Sequence, residues 1–223
     1  MVIETENKMS KFFSGVYLWM FIGLMISGGV AYYTSVSEAM MAFVFKIFIF
    51  VILAELALVF ILNFLRSKIS PTVAKVLFAL YSAVSGLTLS SIFLVYKIDS
   101  IVFVFISAAL MFGLLALYGY TTKQDLSSFG KMLIFGLIAV IIMSIINMFT
   151  QNSSFGIIIS IISVVIFLGL TAWDMQMLKH IYNHYQGDEE ELQKMTIYGA
   201  LNLYLDFINI FLELLSLFGK KKD

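Results

Sequence analysis

Residues 197–218 read IYGALNLYLDFINIFLELLSLF. At helical period, Asn202, Asp206, Asn209, Glu213 and Ser216 recur every three or four residues and form one polar edge on a helix that is otherwise Leu, Ile, Phe and Tyr. A stretch of this length crosses a hydrocarbon core about 30 Å thick at about 1.5 Å per residue. A carboxylate midway along such a helix costs about 2.5–3.5 kcal/mol even on the lenient insertion scale, so the polar edge is expected to face other helices or water. The expectation is a central helix wrapped by the others, with Asp206 as its working group.

The rest of the chain fits a membrane setting. Of its 223 residues 61% are hydrophobic and 13% charged, which leaves no room for a sizeable soluble domain. Mean hydropathy is +0.99, as expected of an all-α polytopic membrane protein. Fourteen Lys plus Arg balance 14 Asp plus Glu, so neither a basic nucleic-acid surface nor a polybasic lipid anchor is supported. Without cysteine there is no disulfide and no thiolate metal site. The N-terminus MVIETENKMSK mixes both charges, and no small-residue cleavage site closes the apolar run after it, so that run reads as a retained helix.

Seven runs are long enough to span, at about 14–34, 39–65, 71–94, 100–120, 129–149, 155–182 and 196–218. Helix-start residues precede several of them: Ser70 before Pro71, Ser127 with Ser128, and Ser153 with Ser154. Short connections place successive helices antiparallel, which predicts a single membrane domain over 1–223. With the N-terminus in the cytoplasm, Lys8, Lys11, Arg66, Lys68, Lys75, Lys123, Lys131, Lys179 and Lys194 all fall inside, whereas the outer loops hold Lys97, with Lys46 near the outer end of the second run. Lys220, Lys221 and Lys222 break the rule if the last helix spans completely, which its apolar length favours over re-entry. Tyr and Trp residues near span ends read as an interfacial belt.

Within the second run, Glu55 lies well inside and Arg66 at the inner end. They share a helix face but stand about 16 Å apart along the axis, so they do not pair with each other. Arg66 alone reads as snorkelling to the headgroups. Glu55 has no such escape and must be neutral, paired or hydrated, which makes it a pore or relay candidate. In the sixth run, TAWDMQMLKHIYNHY places Asp174 as far before Glu190 as Asp206 lies after it. An antiparallel hairpin turning at Glu190 therefore brings the two aspartates to one height. Two carboxyls within hydrogen-bonding reach and poorly solvated do not both ionise easily, so the pair is expected to hold one proton in common. Losing that proton creates repulsion and oxygen ligands for a hard cation such as Ca²⁺, with Asn202, Asn209 and Glu213 continuing the ladder.

Other features have plainer readings. His180 and His184, one turn apart, lack a third metal ligand; Asp188 to Glu191 reads as a solvated acidic loop; YSAVSGLTLSS reads as a close-packing stretch.

The chain resembles the Bax inhibitor-1 family, also called the transmembrane BAX inhibitor motif family, in its bacterial branch. The resemblance is carried by SGLTLSS at 85–91, GYTTKQDLSSFGKML at 119–133, IINMF at 145–149, TAWDMQMLK at 171–179 and NLYLDFINIFLELL at 202–215. It implies six helices around a central seventh in a bacterial inner membrane, and a proton-sensitive calcium leak with no cofactor. It further implies that Asp174 and Asp206 are the pH sensor and gate and a calcium site, and that Arg66 is a latch onto them. The segment 185–194 looks longer and more acidic than in compact bacterial members. Beside a passive conduit, two other readings are weighed. An intramembrane aspartyl protease would carry GxGD where Asp206 lies in LYLD, and a Pro-Ala-Leu motif that the single proline, Pro71, does not supply. A proton-coupled transporter would be expected to show internal repeats, and none is seen at half-chain period.

Overall fold

The computed structural model describes residues 2–66 and 68–222, the side chains from residue 8 onward, and among these every regular element is an α-helix. The helices are α1 (Val2–Ser35), α2 (Glu38–Lys46), α3 (Phe48–Phe64), α4 (Pro71–Leu89), α5 (Ile92–Val95), α6 (Ile98–Thr121), α7 (Ser127–Thr150), α8 (Ser153–Tyr185) and α9 (Glu189–Phe218). Six stretches are long and apolar enough to cross a membrane, and the α2–α3 pair makes a seventh if its two parts count as one. This is an integral membrane protein.

The expected second helix is broken. Between α2 and α3 the chain bends by 72° at Ile47, where no Pro or Gly marks the place. The bend leaves little unsatisfied: Ile47 N donates to Phe43 O at 3.2 Å, and Ile47 O accepts from Val51 N at 3.0 Å. Lys46 closes α2, where a cation suits the negative end of the helix dipole. Of the expected helix starts only that of α4 keeps its signal: Ser127 and Ser128 lie inside α7, whose N-cap Leu126 makes no side-chain cap, and at the start of α8 it is Asn152 that accepts from Phe155 N at 3.0 Å. Ser70 caps α4 by accepting from Val73 N, with Pro71 at the first position. The third run stops as a helix at Leu89, where Ser90 and Ser91 turn their hydroxyls back onto Leu87 O and Thr88 O.

The largest difference lies between α8 and α9. The acidic run expected as a loop is the start of a helix: Asp188 Oδ1 accepts from Glu191 N at 3.0 Å as its cap. Glu189, Glu190 and Glu191 then occupy the first turn, where negative charge complements the dipole. The connection shrinks to a turn at Gly187, whose φ of +102° suits glycine. Its centre is not Glu190, so Asp174 and Asp206 are not equidistant from it.

The chain packs as two compact units. One holds the chain up to Val95 with Ile181–Tyr204 and Lys222. Its core is Val16, Leu62, Phe78 and Tyr204, with α1 laid along α4. Phe78 and Tyr81 both meet the Tyr204 ring edge-on, at 5.9 and 5.8 Å between centroids. The second unit holds Tyr96–His180 with Leu205–Lys221. There Phe207 is met edge-on by Phe105 at 5.1 Å and by Phe112 at 5.7 Å.

At its end the chain is tied down by backbone. Tyr96 and Lys221 form an antiparallel bridge, Lys97 N donates to Lys220 O at 2.9 Å, and Lys222 N donates to Val95 O at 2.9 Å. With α9 unbroken to Phe218, the lysine tail lies at the same end as the α5–α6 connection.

Close approach of α8 to α6 is permitted by Gly119. A Cβ there would lie 2.1 Å from Ala172 O, a backbone atom that cannot swing aside. Gly119→Leu is therefore expected to destabilise the protein by about 1–3 kcal/mol or more, read as a lower melting temperature of the purified protein in detergent. An unchanged melting temperature would mean that the two helices are not held together at this point.

Candidate functional site

A short stretch of α8 carries most of the contacts that orient it. Ala172 lies against Gly119, and the Trp173 indole lies where a Cβ on Gly130 would be, at 2.4 Å. One turn later Gln176 reaches the loop between α6 and α7 with both ends of its amide. Its Oε1 accepts from Leu126 N at 2.8 Å and its Nε2 donates to Gln124 O at 2.7 Å. Lys179 Nζ then donates to Tyr120 O at 2.7 Å and sits over the Tyr120 ring at 5.2 Å. The motif TAWDMQMLK is thus the half of a clasp whose other half is GYTTKQDLSSFGKML.

Held in this way, α8 brings Asp174 within electrostatic range of Asp206 on α9. Asp174 is half-buried, whereas Asp206 is only 5% exposed. Among the described residues no hydrogen bond joins the two carboxyls, and Asp206 Oδ2 is buried without a partner. Thr171 is the hydroxyl beside Asp206. Its single hydroxyl proton is shared between this carboxyl and Phe167 O, which lies at 2.8 Å. A protonated Asp206 can donate to such a neighbour, and an ionised one cannot.

The other residues singled out in the sequence are distributed differently. The polar edge of α9 does not turn inward as a whole. Its apolar remainder, including Leu203, Tyr204, Ile210 and Leu215, is the buried part, and of the edge only Asp206 is enclosed. Asn202 and Ser216 are exposed, while Asn209 and Glu213 line an open groove of about 370 Å³ with Phe167 and one side of α7. Arg66 is exposed after α3, with its guanidinium over the Tyr198 ring at 5.8 Å. Among the described residues no three His, Cys, Asp or Glu converge as a metal cluster, so the aspartate pair is not part of a closed carboxylate cage.

Glu55 is held by hydroxyls. Thr88 Oγ1 donates to its Oε2 at 3.1 Å, and the Ser85 hydroxyl also reaches the carboxyl. Ser85 in turn accepts from Tyr204 at 3.1 Å, and Tyr204 shares a 2.6 Å bond with Ser27, which also contacts Ser82 O at 2.8 Å. Hydroxyls from α1, α4 and α9 and the α3 carboxyl thus form one continuous buried chain. Sequence reasoning missed it. The signal was present in YSAVSGLTLSS, where Ser82 and Ser85 flank the packing face, but Tyr204 and Ser27 carry no pattern of their own.

The loop gripped by Gln176 has its own acidic anchor. Asp125 Oδ1 accepts from Ser127 N at 2.9 Å, an Asx turn that leads into α7. Ser127, chiefly through its hydroxyl and then through this amide, holds the exposed Asp125 carboxyl below the ordinary aspartate range.

A family model described as "Inhibitor of apoptosis-promoting Bax1" matches residues 9–223. The chain is similar to the inner membrane protein YbhL of Escherichia coli K12, with 43% identity over 99% of this chain and 96% of YbhL. An uncharacterised protein of Borreliella burgdorferi is 44% identical over 96% of this chain and 94% of its own length. An uncharacterised membrane protein of Streptococcus pyogenes serotype M1 is 35% identical over 98% and 97%.

Two measurements check the hydrogen bonds above. Since Asp125 is lowered in the folded state, its contribution to the α7 start is present above the ordinary carboxylate range and is lost as pH falls through the folded value. The Ser127 amide resonance should therefore titrate with a midpoint below 3.8, and that step should vanish in Asp125→Asn. Tyr204→Phe strips the hydroxyl chain of its centre and should cost about 1–3 kcal/mol in thermal or denaturant unfolding. A loss much smaller than this would mean that the chain is dispensable.

Proposed function

This chain belongs to the Bax inhibitor-1 family, and we propose that it forms a passive, pH-sensitive calcium leak across a bacterial inner membrane, with Asp174 and Asp206 as sensor and gate. The enclosed Asp206 carboxyl, with one oxygen unpartnered and Asp174 acting on it, carries the proposal. Two like charges at neighbouring buried carboxyls, at an effective dielectric of about 20, repel by about 2–4 kcal/mol. That is enough to move a two-state equilibrium by about thirty- to a thousand-fold. One shared proton removes the repulsion. Without it, α8 and α9 are driven apart at this level and their oxygens become available to a hard cation, which prefers carboxylate and carbonyl ligands.

The bent α2–α3 pair then counts as the second of seven spans, with the N-terminus in the cytoplasm and the lysine tail outside. Glu55, anchored by Thr88, is a fixed carboxyl along the route. Its setting differs from that of Asp206, since hydroxyls satisfy it, and it is assigned to conduction rather than to sensing.

Reconstitution into liposomes loaded with a calcium-sensitive dye tests this directly. Wild-type protein should show a calcium leak that varies with pH by about tenfold or more. Asp206→Asn removes the shared proton without changing the side-chain shape, and it should flatten that dependence or displace its midpoint by at least one pH unit. Removing one of two carboxyls that repel when ionised should leave the melting temperature equal or higher. No leak from folded wild-type protein, or an unaltered pH midpoint in the variant, would reject the proposal.

A further inference from the structure

We infer that the groove between α7 and α9 is a binding site for lipophilic organic cations, with Glu213 as the counter-charge. The groove, of about 370 Å³, falls within the range of small-molecule sites. Its walls are apolar side chains of α7, Val140, Ile141 and Ile145 among them, together with Phe167 of α8. The opposite wall is α9, which presents Asn209 and Glu213 one turn apart.

The only charge among the residues that line the groove is negative. Asn209 Nδ2 donates one of its two hydrogens to Leu205 O at 2.8 Å, which fixes the amide against its own helix. Among the described residues no hydrogen bond or ion pair reaches the Glu213 carboxyl. The groove thus combines an amide, the Ser144 hydroxyl, one acidic group and oily walls, with no basic side chain among those that line it.

This chemistry selects its occupant. An anion would meet a carboxylate with no cationic side chain to offset it. A bare divalent cation requires about six to eight oxygens, and one carboxylate and one amide against aliphatic walls cannot replace its hydration shell. A neutral acyl chain would fit the walls and leave Glu213 unused. An ammonium or phosphonium ion with an apolar body satisfies both sides. Glu213 lies five residues before the α9 terminus Phe218, about 7–8 Å along the axis. A carboxyl at that depth meets the charged head of an amphiphilic cation near the headgroups, while the apolar body extends along α7 towards Asn209. No part of this assignment depends on Asp174 or Asp206, so it stands or falls separately from the calcium leak.

The test is equilibrium binding to the full-length protein in lipid nanodiscs, with empty nanodiscs subtracted. The probes are tetraphenylphosphonium and tetraphenylborate, which have similar shape and opposite charge. The wild-type protein should retain the cation in excess of empty nanodiscs and show no such excess for the anion. Glu213→Gln should weaken cation binding at least about tenfold. Ile141→Trp should do the same, because Ile141 is half exposed and a larger side chain there fills the groove without displacing the core. Equal retention of both probes would identify the groove as a resting place for lipid chains and overturn the assignment. So would cation binding unaffected by Glu213→Gln, or binding that Glu213→Gln removes but Ile141→Trp spares.

Discussion

The structure depends on enclosing one carboxyl in a helix that must otherwise satisfy an apolar surrounding. Asp206 stands in the longest polar-edged span, and lipid cannot solvate it. Protein has to cover it, and the covering helix has to be positioned closely. That explains the density of specific contacts between Ala172 and Lys179. Gly119 and Gly130 let backbone and indole approach where any side chain would intrude. Gln176 and Lys179 then fix the same stretch of α8 to backbone atoms of Tyr120, Gln124 and Leu126. Each of these polar contacts contributes about 1 kcal/mol, and their number along two turns matters more than any one of them.

The contrast between the two intramembrane carboxyls follows from what surrounds them. Glu55 is met by the Thr88 and Ser85 hydroxyls, whose donors can be supplied to an ionised or a neutral group by rotation about one bond. Asp206 is met by one threonine hydroxyl that Phe167 O also engages and by a second carboxyl, and its Oδ2 is left without a partner. A satisfied group has little to gain from moving. An unsatisfied one has a reason to change partner when its charge changes, and this is the property a switch requires.

Much of this was legible in the sequence, for physical reasons. Hydropathy alone locates the spans, since a membrane permits few alternatives to a helix, and Ser70 with Pro71 marks the start of α4. The polar recurrence along 202–216 is visible at helical period, but periodicity cannot say what a face meets. Only neighbours decide that Asp206 is covered while Asn209 and Glu213 line a groove. The break at Ile47 was not legible, because the run is apolar on both sides and contains neither Pro nor Gly. Asp188–Glu191 was misread because acidic residues suit both a solvated loop and a first helical turn, and the Asp188 cap that decides between them is a geometric fact. The hydroxyl chain through Tyr204 was hidden for a similar reason: a tyrosine in mid-span reads as part of the apolar remainder until its partners, Ser27 and Ser85, are known.

Tyr204 and Asp206 illustrate how one helix serves two purposes. Two residues apart, they point about 200° away from each other around the α9 axis. Tyr204 is wholly buried and bonded to Ser27 and Ser85, with Phe78 and Tyr81 against its ring, so this side of α9 has one well-defined arrangement. Asp206 faces the other way with an oxygen to spare. If Asp174 and Asp206 act as proposed, the anchoring of α9 through Tyr204 is what would let their repulsion bear on the neighbouring contact with α8 instead of being dissipated in disorder. A loose α9 would carry Asp206 opposite Asp174 without transmitting anything.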